Sequence, residues 1–156
     1  QRIYLKFMAM TNFGSRPKED YIMKAEWKQL YALTEHWKSD LLFHRDEIKF
    51  LYHLVNKYVL WLTRYEEVEM VRENRKLLAE VRSECLKLLH KVETHLGHLS
   101  DLMENPFAHD SQTFRKEHGE LEEEIALFTK HFRHAKKETF KITEHLMDSA
   151  EMAEHV

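Results

Sequence analysis

The chain has 156 residues, with 24 Lys and Arg against 27 Asp and Glu, for a formal net charge of -3. Hydrophobic residues at 43% and charged residues at 33% exclude a disordered or membrane-spanning polypeptide, and the length suits about one domain. Only three Gly and two Pro occur. That scarcity of turn chemistry excludes most all-β folds, Gly-rich phosphate loops and dinucleotide fingerprints, and leaves an all-α protein.

In chain order, residues 1–15 read as an N-terminal segment that is partly non-native, since the sequence opens on Gln1 with Met8 and Met10 as alternative starts. The stretch carries Arg2 and Lys6 but no sustained apolar region of a signal peptide. Ser15 then reads as an N-cap, with Pro17 in the first turn and Glu19 and Asp20 at the positive end of the helix dipole. From there a helix is expected to about residue 62. Trp37, Leu41, His44, Ile48, Leu51, Val55, Tyr58 and Leu62 alternate in steps of four and three, the seam of a packed bundle helix. A second stripe, Phe43, Glu47, Phe50, Leu54 and Trp61, predicts burial against a second neighbour. Thr34 offers an internal cap at which this long helix can split.

No Gly or Pro separates residue 18 from residue 96, yet one helix from 17 to 104 would be ~130 Å long. A reversal is therefore expected within 63–74, where apolar periodicity fades over Thr63 to Glu67 and the charged run Arg72-Glu73-Asn74-Arg75 follows. The second helix, about 70–104, has Leu78, Val81, Cys85, Leu88, Val92, Leu96, Leu99 and Met103 as its seam and stops at Asn105-Pro106. Asp110 or Ser111 caps the third, about 111–150, along which Phe114, His118, Leu121, Ile125, Phe128, Phe132, Ala135, Ile142 and Leu146 face the core. Residues 151–156 form a tail. The expected architecture is an antiparallel up-down bundle of three long helices in a single domain, 16–150, completed to four either by splitting of the first helix or by dimerisation.

Twelve histidines make metal binding the first chemistry to test. Glu-x-x-His, His-x-x-x-His, His-Glu-x-x-His and Cys-x-x-Cys are all absent, which excludes the ferritin-type, hemerythrin-type, zincin and zinc-ribbon patterns. A looser constellation remains. Asp40, His44 and Glu47 share one helix face, and counting heights in an antiparallel bundle brings Glu84, Cys85, Glu124 and His131 near their level. Asp40, His44, Glu47, Glu84 and His131 are thus the candidate ligands for Fe, Mn or Zn. The plainer reading is a satisfied network in which Glu47 pairs with His44, a Lys, an Arg or a Tyr hydroxyl. The seven-residue repeat Glu117, Glu124, His131, Glu138 and His145 then reads as the polar flank of the third helix. The pairs His95/His98 and His131/His134 have only adventitious metal spacing.

Enzymatic function has little support. The single cysteine, Cys85, makes no intramolecular disulfide, sits in a seam and reads as inert, and no serine lies in a nucleophile elbow. Its lack of partners gives cytoplasm as the default compartment. The longest wholly apolar run is Val59 to Leu62, too short for a membrane. Lys130, Arg133, Lys137 and Lys141 form a basic stripe that complements a helix dipole, and with a net charge of -3 nucleic acid is not an expected partner. Tyr58 to Leu62 is apolar on every face and must be covered. Trp27, Tyr31, Tyr58 and Trp61 are therefore the expected surface for a protein partner or a second copy. The sequence favours a non-enzymatic helical-bundle interaction or assembly protein. Its alternatives are a metal-binding bundle for storage, sensing or redox chemistry, and a pH-responsive bundle titrating through His44 or His118 near neutrality.

Overall fold

The computed structural model describes residues 21–62 and 64–154, without the side chains of Trp61 and Ala153. The Ser15 cap, Pro17 and the 1–15 segment lie outside the described residues. The fold is an all-α bundle. Three long helices carry it: α1 (Trp27–Lys57), α2 (Tyr65–Glu104) and α3 (Ser111–Glu154), with a 3-10 turn, Val59–Trp61, between the first two. Among the described residues no helix is long and apolar enough to cross a membrane.

The chain divides into two compact units. Unit 1 joins the chain up to Asp40 with Leu88–Ile125, and unit 2 joins Leu41–Lys87 with Ala126–Val156. In unit 1 the pairs Lys91–Glu124 and His95–His118 fix α2 and α3 antiparallel, since one number rises as the other falls. In unit 2, Glu84–His131, Asn74–Thr139 and Glu67–Ser149 do the same. There α1 runs antiparallel to α2, with Leu41 against Cys85 and Tyr52 against Arg75.

Helix 17–62 is not continuous. Residues 21–24 are helical, Ala25 and Glu26 are not, and α1 starts at Trp27. Arg115 of α3 explains the break. Its guanidinium donates to the carbonyls of Ile22 and Ala25 at 2.6 and 2.8 Å and lies 4.1 Å from the Trp27 ring, so the carbonyls a helix end leaves orphaned are satisfied from across the unit. On the other side of the break the Gln29 side chain accepts the Glu26 N–H at 2.9 Å, half of a capping box. Thr34 is not the splitting point. It is buried inside α1 and donates to the Leu30 carbonyl at 2.7 Å.

The first helix ends at Lys57, the 3-10 turn spans Val59–Trp61 and α2 starts at Tyr65, so the reversal opens ahead of the expected 63–74 window and α2 begins before 70. The residues responsible are apolar. Tyr58, Val59 and Leu62 pack on the cluster Val55, Val71 and Leu146, so the turn itself closes the end of that core. The acids Glu66 and Glu67, where periodicity fades, sit in the first turn of α2 beside its positive dipole end. The second reversal is where Pro106 puts it. Asn105 Oδ1 accepts the Phe107 N–H, and Asp110 Oδ1 accepts the Thr113 N–H at 2.8 Å as the N-cap of α3. These bonds hold the Asp110 carboxyl below its ordinary range. With no Gly or Pro beyond Gly119, α3 runs on to Glu154, past the expected end at 150.

The core follows an unbroken alternation of three and four. On α2 it passes through Leu78, Val81, Cys85, Leu88, Val92, His95, Leu99 and Leu102, all buried. Leu96 and Met103, expected in the seam, fall off it. On α3, buried Thr139 and Thr143 take the place expected of Ile142. The second stripe of α1 is not buried. Phe43 and Phe50 are each 60% exposed.

Candidate functional site

Unit 2 contains four of the five candidate metal ligands, and α1, α2 and α3 each contribute. His44 Nδ1 lies 3.2 Å from Glu47 Oε1, and the second Glu47 oxygen accepts from Lys136 of α3. The His44 ring packs on Phe132 at 4.8 Å and Phe128 at 5.9 Å, which explains how an imidazole occupies a seam position. Glu84 of α2 meets His131 of α3 at 3.2 Å. Asp40, the fifth candidate, closes unit 1. The carboxylates are thus engaged in pairs, and among the described residues no three His, Cys, Asp or Glu gather as a metal ion needs. Glu47 has the lysine partner that the plainer reading required.

The flank of α3 behaves as its heptad spacing implies. Glu124 takes Lys91 at 2.9 Å, His131 takes Glu84, and His145 lies 3.4 Å from Glu67. Cys85 is fully buried and its thiol lies 3.3 Å from the Leu41 carbonyl. Burial pushes that thiol up to about 11, the Arg45 charge only partly opposing, so it carries no thiolate at neutral pH.

Three of the expected partner residues, Trp27, Tyr31 and Tyr58, are partly buried against this chain's own core clusters. Trp27 meets Phe114 edge-on at 5.6 Å and, with Tyr31, packs on the cluster Ala25, Leu30, Leu99, Leu102 and Phe114. Tyr58 packs on Val55, Val71 and Leu146. The side chain of Trp61 lies outside the described residues.

The most unusual cluster in the molecule lies in unit 1. His95 Nε2 and His118 Nδ1 are 2.8 Å apart, one donating and the other accepting, and both rings are buried. His95 stacks on Phe114 at 4.5 Å and 5°, and His118 stacks on Trp37 at 4.7 Å. The Nε2 atom of His118 is buried without a hydrogen-bond partner. Burial, with His98 adding repulsion, pushes His95 down to about 4. Burial, followed by His95 and Arg115, pushes His118 down to about 3. Both imidazoles are therefore neutral at pH 7, and His118 does not titrate near neutrality as the pH-responsive reading expected. A cavity of about 400 Å³ opens beside His95, with His90, His98, Glu117 and Glu120 in its wall. The unbroken three-four alternation on α2 was the signal for this pair. It runs through His95, and an antiparallel register then sets that residue against the α3 seam position His118.

Neutral rings stacked in a core make a poor general acid and a weak base at neutral pH. Comparison of the chain with family models, with curated proteins and with solved structures finds no match.

Proposed function

We propose that this chain is a non-enzymatic helical-bundle interaction protein, and that it assembles with a second copy of itself through the α1/α3 face of unit 2. The supporting observation is the exposure of Phe43 and Phe50, at 60% each, on either side of Glu47. Residues seven apart lie on one helix face, about 10 Å apart along the axis. Glu47 is joined to Lys136, and Phe140, 47% exposed, follows Lys136 by one turn of α3. By helix spacing, Phe43 and Phe50 lie either side of Glu47 on α1, and Phe140 lies one turn from Lys136 on α3. A grouped apolar patch with a charged centre differs from the singly scattered apolar residues that any surface carries. A twofold axis through it would set each Glu47 near the partner's lysine and each phenyl against its counterpart. The expected surface at Trp27, Tyr31 and Tyr58 is in this way replaced by a stripe first read as core.

Sedimentation over a wide concentration range tests the proposal. A reversible monomer–dimer equilibrium, indifferent to chelator and abolished by Phe43→Ser with Phe50→Ser, is the expected result. A monomer at every concentration, or a dimer that survives both substitutions, overturns it. The rival metal-binding bundle predicts instead stoichiometric Fe, Mn or Zn retained through dialysis and lost in Glu47→Ala.

A further inference from the structure

A second surface of unit 2 is as polarised in charge as the α1/α3 face is apolar. Between α1 and α2 lies a groove of about 600 Å³ lined by Arg45, Asp46, Lys49, Tyr52, His53, Asn56 and Arg82. Arg75 is bonded to two of its lining residues, its carbonyl accepting from the Tyr52 hydroxyl at 3.2 Å and its guanidinium donating to Asn56. The groove and its rim thus carry four Lys or Arg side chains against the single carboxylate of Asp46, in a chain whose net charge is -3.

That excess is built by spacing. Arg45, Lys49, Tyr52 and Asn56 follow one another in steps of four, three and four along one flank of α1, and Arg75 and Arg82 are seven apart on α2. The acids of the same stretch of α2 point elsewhere. Glu73 and Glu80 line a different cavity, shared with His134 and Glu138 of α3, and Glu84 is held by His131. Compensation inside the groove is weak. Arg45 has Asp46 at 3.6 Å, while Lys49 and Arg82 make no ion pair or hydrogen bond among the described residues. Burial raises the Tyr52 hydroxyl above its ordinary range and the Arg82 and Arg75 charges pull it back, so both guanidinium fields converge on one phenol in the groove.

We infer that this groove is a binding site for a small polyanion, a molecule carrying two or more neighbouring phosphates. Guanidinium forks match phosphate oxygens bidentately, and the Lys49 ammonium supplies a point charge between them. The Tyr52 hydroxyl and the Asn56 amide add orientation. The volume falls in the range of small-molecule sites, about 300–1,000 Å³. The stretch of α2 from Arg75 to Arg82 covers only about 10 Å, whereas tight duplex binding draws on many phosphate contacts along a longer track. A compact ligand fits this groove and a nucleic acid does not. The inference is independent of self-association, which uses the opposite flank of α1.

Calorimetric titration of the whole chain with tripolyphosphate at low ionic strength tests it. One saturable site per chain is expected, weakened at least tenfold by Arg82→Gln and again by Lys49→Gln, and unchanged by Lys137→Gln on the outer stripe of α3. Both groove residues are exposed, so the variants keep their fold, and circular dichroism verifies it. Absence of saturable binding overturns the proposal. So does equal weakening by Lys137→Gln, or tighter binding of a duplex oligonucleotide than of tripolyphosphate.

Discussion

In unit 1 the interior polar groups are Thr34, which bonds back to its own helix, and two imidazoles, His95 and His118, which share one hydrogen bond and stack on Phe114 and Trp37. In unit 2 they are hydroxyls, an amide and a carboxylate. Thr139 donates to the Ala135 carbonyl and Thr143 to that of Thr139, each at 2.7 Å; the Asn74 amide donates to Thr139, and Ser149 donates to Glu67. A threonine that returns its proton to its own helix satisfies itself and asks nothing of its neighbours. The histidine pair has no such local solution. It holds only while at least one ring is uncharged, because one proton sits between them, and burial disfavours a charge on either ring. The interior of unit 1 is therefore coupled to proton concentration in a way that the amide and hydroxyls of unit 2 are not.

Acid should separate the units most strongly. Both histidines have folded-state values below the ordinary 6.5, at about 4 and about 3. As pH falls below 6.5 the unfolded chain takes up protons first. Stability from these groups is thus full above 6.5 and declines until the pH reaches the folded values. Each imidazole contributes a slope of about 1.4 kcal/mol per pH unit in that window. Hydrogen exchange corrected for intrinsic rates should show amides near His118 losing protection before those near Phe132. Parallel loss in both stretches would dissolve the contrast. Next in size, Arg115→Met removes two charge-assisted bonds to backbone carbonyls and should cost about 2 kcal/mol, read as a lower urea midpoint; an unchanged midpoint would mean the break at Ala25 closes without it. Smallest, Lys136→Met breaks a half-exposed pair with Glu47 and should cost under about 1 kcal/mol, confirming that unit 2 is held by its apolar seam and not by that ion pair.

The helix count, the α2–α3 connection and most buried positions were legible because they rest on local chemistry. Pro106 cannot continue a helix, Asp110 caps the next, and a three-four alternation marks one face. What escaped was written elsewhere in the chain. The break at Ala25 and Glu26 depends on Arg115, ninety residues away, and no Gly or Pro announces it. The turn is apolar over 58–62, where Tyr58, Val59 and Leu62 close a core, and apolarity there read as more helix. Periodicity placed Phe43, Glu47 and Phe50 on one face but not whether anything covers that face. The metal set failed to gather for a related reason. Heights were known only to about two turns, and within that margin Lys136, not a second carboxylate, reached Glu47. On α2, placing Leu96 in the seam where the backbone puts His95 broke the three-four alternation, and so hid the pair that sets unit 1 apart.

The buried Cys85, turned toward the Leu41 carbonyl, gives the molecule a built-in clock. It is the sole thiol in the chain, so an alkylating reagent has one place to react and can reach it only when the contact between α1 and α2 opens. The rate of modification, compared with that of a free thiol, then measures how often unit 2 opens, with no label introduced and no residue changed.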